Sequence, residues 1–138
     1  MLVTLLDVLT ARAALSALSK ERLPIGAALH VARLAKAAEA EGKLFEALRD
    51  KLLRTRCVMG PMGEPMWEPV DDDKGRAVKR VHFLEGEAEK FTAEMSAALA
   101  AEVEIPGGPL VADTLPDTLL LTPETVLALG PFLLETLR

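Results

Sequence analysis

Residues 24–55 limit the fold more than any other stretch. They read as one helix of about 30 residues, about 45 Å long at 1.5 Å per residue, entered through Pro24, which suits a first helical turn but cannot extend a preceding helix. Its apolar seam is Ala28, Val31, Ala35, Ala38, Gly42, Phe45, then Leu48 or Arg49, then Leu52, a three-four alternation sustained over more than three heptads. Small side chains occupy the first two thirds of that seam and bulky ones the end. This predicts a tapered helix-to-helix contact in which another backbone comes close to the alanines. The preceding helix, joined by a short turn, is the nearest partner in an antiparallel hairpin. It covers at most half of the long seam, so Ala28, Val31, Ala35, Ala38, Gly42, Phe45 and Leu52 are predicted to form a protein interface with later helices or another copy of the chain.

The preceding helix is predicted over Val3–Leu18, with Leu2, Leu5, Leu6, Leu9, Ala13, Ser16 and Ala17 as its buried stripe. Its apolar run has no basic residue before it and is interrupted by Asp7, so it does not read as a secretory signal. After the long helix, CVMGPMGEPMWEPV (Cys57–Val70) is too rich in Gly and Pro for a helix and reads as a connecting loop. DDDKG (Asp71–Gly75) has hairpin-turn composition between short strands near Met66–Val70 and Ala77–Phe83, and the mixed alternation of the second points to an edge strand. A third helix is expected over about Gly86–Ala101, with a face of Leu84, Ala88, Phe91, Met95 and Ala98 or Leu99. Val103–Ile105 and Thr118–Leu121 read as short strands separated by the turn PGGP. Thr122 and Pro123 are the N-cap and first residue of another helix, Gly130 and Pro131 end it, and FLLETLR reads as a last apolar turn. The predicted fold is therefore α+β and mostly α. It has an antiparallel helical hairpin with one long helix, a small sheet of short strands and two further helical segments, all in a single domain over 1–138.

Charge is placed unevenly within a net −5. Residues 1–56 hold ten basic and six acidic side chains (+4), and residues 57–138 hold six basic and fifteen acidic (−9). Such halves can attract within one fold or between copies. The acidic balance, with only Trp67 and four Phe as stacking aromatics, argues against nucleic-acid binding. No stretch approaches the roughly 20 uncharged apolar residues of a membrane span. One cysteine, Cys57, excludes an internal disulfide and reads as a buried thiol, with the cytoplasm as the default location. The chain has no Asn, Gln or Tyr, and Leu and Ala make up 46 of 138 residues. That bias suits a thermophilic or GC-rich source.

Candidate chemistry is sparse. Asp71, Asp72 and Asp73 offer carboxylate oxygens to a divalent metal but lack calcium-hand spacing, so the solvated turn is the preferred reading and no metal is expected. His30 and His82 lack HExxH spacing and an acid partner, and read as surface or packing histidines. No nucleophile elbow, phosphate loop or CxxC pair is present, and neither a catalytic residue nor a cofactor is expected. The best polar constellation is Lys74, Arg76, Lys79 and Arg80 on one hairpin. These cations either keep an edge strand soluble or form a contact for an anion or acidic partner, helped by Arg49, Arg54 and Arg56 at the end of the long helix.

The order of elements carries a resemblance: a helix ending in Leu23-Pro24, a long helix with Glu41, Phe45, Arg49 and Leu52, a Gly-containing loop, a short strand, a helix with Phe91, VEI, then LTPETVLALGPFL. It resembles an uncharacterised family of small bacteriophage proteins. The resemblance implies a phage-encoded protein located in the host cytoplasm or the virion. Together with the long seam it gives the leading expectation of a non-enzymatic binding or assembly protein, a minor virion or assembly component that forms a homo-oligomer or docks on a phage or host protein. The alternative expectation is an accessory protein that captures a host factor or small anionic signal through the basic hairpin.

Overall fold

Thr4 decides where the first helix begins. In the computed structural model, which describes residues 1–135, its hydroxyl accepts from the Asp7 N–H at 3.1 Å, and the Asp7 carboxylate accepts from the Thr4 N–H at 3.2 Å. This reciprocal capping box leaves Leu2–Thr4 free to form strand β1 ahead of helix α1 (Leu5–Leu18). Ser19–Pro24 lead into α2 (Ile25–Arg56), one unbroken helix of 32 residues. There follow β2 (Trp67–Asp71), β3 (Ala77–Val81), α3 (Glu87–Ala100), β4 (Glu102–Glu104), β5 (Leu110–Val111), α4 (Pro123–Leu129) and β6 (Leu133–Leu134). The fold is α+β and mostly α, as the sequence predicts.

The strands form three separate two-stranded ladders instead of one small sheet. β1 pairs antiparallel with β4, β2 with β3, and β5 runs parallel to β6. Thr118–Leu121, expected as a strand, belongs to none of them. Of the closing FLLETLR, Phe132 ends a 3-10 turn and Leu133–Leu134 form β6, while Thr136–Arg138 lie outside the described residues.

The chain divides into two compact units, Met1–Leu44 with the chain from Leu99 onward, and Phe45–Ala98. The first has a continuous core of Val3, Val8, Ala11, Leu15, Leu18, Val31, Leu34, Ala38, Ile105, Leu110, Leu129 and Phe132. On α1 the buried stripe is Leu5, Val8, Ala11, Leu15 and Leu18, so the predicted stripe is corrected: of its members only Leu5 is buried, and Leu2 and Leu6 stand exposed. Apolar residues surround α1, and several three-four stripes fit its sequence equally well. The choice is made by what docks on it, namely α4 and the Gly130–Phe132 turn. Thr122 caps α4 through the Thr125 N–H at 3.1 Å, with Pro123 in the first turn, and Gly130 (φ +49°) ends it so that Phe132 can turn into the core.

The second unit is built differently. Among its described residues the only buried hydrophobic is Cys57, and α3 has no buried residue at all. Ala88, Phe91, Met95, Ala98 and Leu99 are half-buried on the predicted face, with the rings of Phe83 and Phe91 5.2 Å apart, whereas Leu84 is exposed. The Cys57–Val70 loop is tied by isolated bridges between Cys57 and Phe83 and between Met59 and Pro65.

Candidate functional site

Two surfaces follow from the sequence, the α2 seam and the basic hairpin, and the structure treats their residues unequally. On the seam, Val31, Ala38 and Gly42 are buried inside the chain, and Ala28, Ala35, Phe45 and Leu52 are half-buried. The part of the seam from Val31 to Gly42 is therefore covered within the chain, one of the two coverings expected for it, and Val31, Ala38 and Gly42 are closed to another copy. Leu34, absent from the predicted seam, is fully buried with them.

The small residues do not admit another backbone at Gly42. The three atoms nearest to a Cβ placed there all belong to the Arg12 side chain, at 2.6–2.9 Å. The guanidinium lies over the glycine and donates from Nε and Nη2 to both carboxylate oxygens of Glu39, at 2.8 and 2.7 Å. This fork holds the Glu39 carboxyl below the usual carboxylate range. The glycine is thus the floor of an ion pair, and the thin helix face is covered by an arginine.

On the hairpin, Asp72 organises the turn. Its Oδ1 accepts from the Lys74 and Arg76 N–H groups at 2.9 and 2.7 Å, and its Oδ2 from Arg76 Nε at 2.8 Å. Gly75 supplies the left-handed residue (φ +73°) that closes the loop. The Arg76 N–H bond is the main cause that lowers the Asp72 pKa, and the Arg76 side chain and Lys74 N–H act in the same direction. The middle carboxylate of the acidic triplet is thus engaged by its own turn. Among the described residues no group of three or more His, Cys, Asp or Glu side chains is placed to hold a metal ion.

The four hairpin cations divide into two pairs. Arg76 pairs with Asp72, and Arg80 with Glu68 at 2.8 Å, while Lys74 and Lys79 are exposed and have no partner among the described residues. Both faces of the ladder are open: Trp67 is 61% exposed and Val78 41%. His82 Nε2 lies 3.7 Å from Glu68 Oε2, and His30 Nε2 is 2.7 Å from the Gly108 carbonyl, so His30 ties α2 to the PGGP turn.

Arg56, which the sequence offers as a helper of the anion or acidic-partner contact, is engaged within the chain instead. At the end of α2 it forms ion pairs with Glu87 and Glu94 of α3, and Glu87 also meets Lys90 at 3.3 Å. Hydrogen bonding to Glu94 and Glu87 raises the arginine's pKa, and the bond from Arg56 lowers that of Glu87. The i, i+7 spacing of Glu87 and Glu94, which puts both carboxylates beside the Phe91 face of α3, is the available signal. Next to Arg56, Cys57 is 3% exposed, its thiol donates to the Leu53 carbonyl, and burial raises its pKa. It is a packing thiol.

No family model, curated protein or solved structure matches this chain. Its own surfaces therefore carry the functional reading. Large apolar side chains are exposed on α2 at Ile25, Leu29, Leu44 and Leu48, and on the second unit at Met62, Met66, Trp67 and Leu84. Among the described residues no helix is long and apolar enough to cross a membrane.

Proposed function

We propose that this chain is a non-enzymatic binding and assembly protein that associates through apolar helix faces with further copies of itself or with a protein partner. The observation that carries this reading is the second unit: Cys57 is the one buried hydrophobic among its described residues, α3 only half-buries its apolar face, and Leu48 stands exposed where α2 enters the unit. Chains of this size ordinarily bury well over half their surface, and contiguous exposed apolar patches mark interaction sites. The bacteriophage resemblance of the sequence would make the chain a minor virion or assembly component. Sedimentation equilibrium of the purified chain at micromolar concentration is expected to show self-association, and Leu44→Glu with Leu48→Glu to weaken it. A strict monomer, unchanged by that pair of substitutions, is the result that would sink the reading.

A second reading is favoured by Lys74 and Lys79, whose charges are left unmatched at the exposed hairpin. On this reading the hairpin holds an acidic partner or small anion. Reversal of both charges (Lys74→Glu, Lys79→Glu) should abolish binding to an acidic probe such as heparin without lowering the melting temperature, because neither side chain supports the turn. Retained binding by that variant refutes it. Arg76 and Arg80 are unsuitable for the test, since each holds a carboxylate of the hairpin itself.

A further inference from the structure

Thr118–Leu121 has the burial of a strand but, among the described residues, no strand beside it. Leu119 and Leu121 pack against the core of the first unit, while Leu120 between them is 90% exposed. This is the alternation of a half-buried β-strand. Among the described residues neither the N–H nor the C=O of Leu120 has a hydrogen-bond partner in the chain. The Leu119 N–H, by contrast, donates to the Pro116 carbonyl at 3.0 Å and closes a turn through Thr118. An apolar segment whose central residue keeps both backbone groups open is a template for strand addition.

Two features indicate what adds to it. First, Thr118-Leu119-Leu120-Leu121-Thr122 reads the same in both directions. An antiparallel pairing centred on Leu120 therefore sets Thr118 opposite Thr122, Leu119 opposite Leu121 and Leu120 opposite itself, which is the self-complementarity a twofold interface requires. Second, the surroundings match in charge and shape. A hollow of about 570 Å³ beside the segment is lined by Lys20, Glu21 and Arg22, a net charge of +1 with neither cation paired among the described residues, whereas the palindrome is flanked by Asp117 and Glu124. A second hollow of about 100 Å³, bordered by Ala14, Ala17, Leu18, Glu21 and Thr125, opens next to Leu119–Leu121. It is of the order of one aliphatic side chain.

We propose that Leu119–Leu121 pairs antiparallel with the same segment of a second copy of this chain, with the two Leu120 residues facing each other across the shared twofold axis. The pleat then puts Leu119 and Leu121 of each copy on the inner side, over the alanine-bordered hollow, and the acidic flanks of one copy come to Lys20 and Arg22 of the other. The inference rests on the self-association proposed above and names a surface for it separate from Leu44 and Leu48.

The test uses the full chain, Leu120→Asp and Leu120→Cys. Because Leu120 is almost wholly exposed, both variants should keep the circular dichroism and melting temperature of the parent. Sedimentation equilibrium is expected to show a dimer for the parent and a dissociation constant raised at least about tenfold for Leu120→Asp. Leu120→Cys, treated with diamide, is expected to form a covalent dimer, since directly opposed residues in an antiparallel pair have Cα atoms about 4.5–5.5 Å apart, within disulfide reach. The parent, whose Cys57 is buried, should not. A monomeric parent overturns both this inference and the proposed self-association, and leaves the segment open to a foreign strand. A parent that associates, with Leu120→Asp equally tight and Leu120→Cys uncrosslinked, overturns this inference alone.

Discussion

Gly42 shows how one missing side chain settles the packing of α1 on α2. Alanine in a helix interior is about 1 kcal/mol more favourable than glycine, yet a Cβ here collides with the Arg12 guanidinium. Gly42→Ala in the parent is therefore expected to gain less than the propensity difference, because Arg12 must swing away and release Glu39. In an Arg12→Ala background the same substitution should stabilise by about 1 kcal/mol. The double-mutant cycle by denaturant unfolding checks this, and equal effects in the two backgrounds would mean that the guanidinium does not rest on the glycine. The sequence signals a close approach at Gly42 but not what approaches, since the fork depends on Arg12 facing Glu39 across two helices.

At the level of elements, the hairpin and the caps differ in what holds them. Asp72 has a folded pKa below its ordinary value, so its contribution to hairpin stability is complete above the unfolded pKa of about 3.9 and is lost as pH falls further through the folded value. Amide signals of Lys74 and Arg76, whose N–H groups Asp72 accepts, should shift below about pH 4, and Asp72→Asn should remove most of that acid transition. A pH-independent turn would contradict the assignment. Boundaries written in local chemistry were legible in the sequence: Pro24 before α2, Thr122-Pro123 at α4, Gly130 at its end, and DDDKG at the hairpin. Features set by distant partners were not. β1 exists because β4 pairs with it, so Val3 and Thr4 read as helix from sequence alone, and the true stripe of α1 is selected by Phe132 and Leu129 from more than a hundred residues away. Thr118–Leu121 has strand composition and strand-like burial, yet among the described residues no strand pairs with it. Of the candidate surfaces, the hairpin cations were visible as a group, but their division into paired arginines and free lysines depends on the register that sets Arg80 against Glu68.

For the molecule as a whole, burial is concentrated in one of the two compact units. α2 contributes Val31, Leu34 and Ala38 to a closed core and then continues into a unit whose apolar residues are mostly half-covered. Local opening free energy follows buried apolar contact. Amide hydrogen exchange is therefore expected to be slow in α1 and in α2 up to Gly42, and faster by orders of magnitude in α3 and the β2–β3 ladder. Uniform protection in the isolated chain would show that the second unit is closed by itself and needs no partner. Trp67 adds a practical consequence. With no Tyr in the chain and its one indole already in contact with water on β2, unfolding should leave the ultraviolet emission almost unchanged, so fluorescence is a poor monitor of denaturation. The same indole would shift to the blue as soon as another molecule covered that face, which makes it a built-in reporter of complex formation.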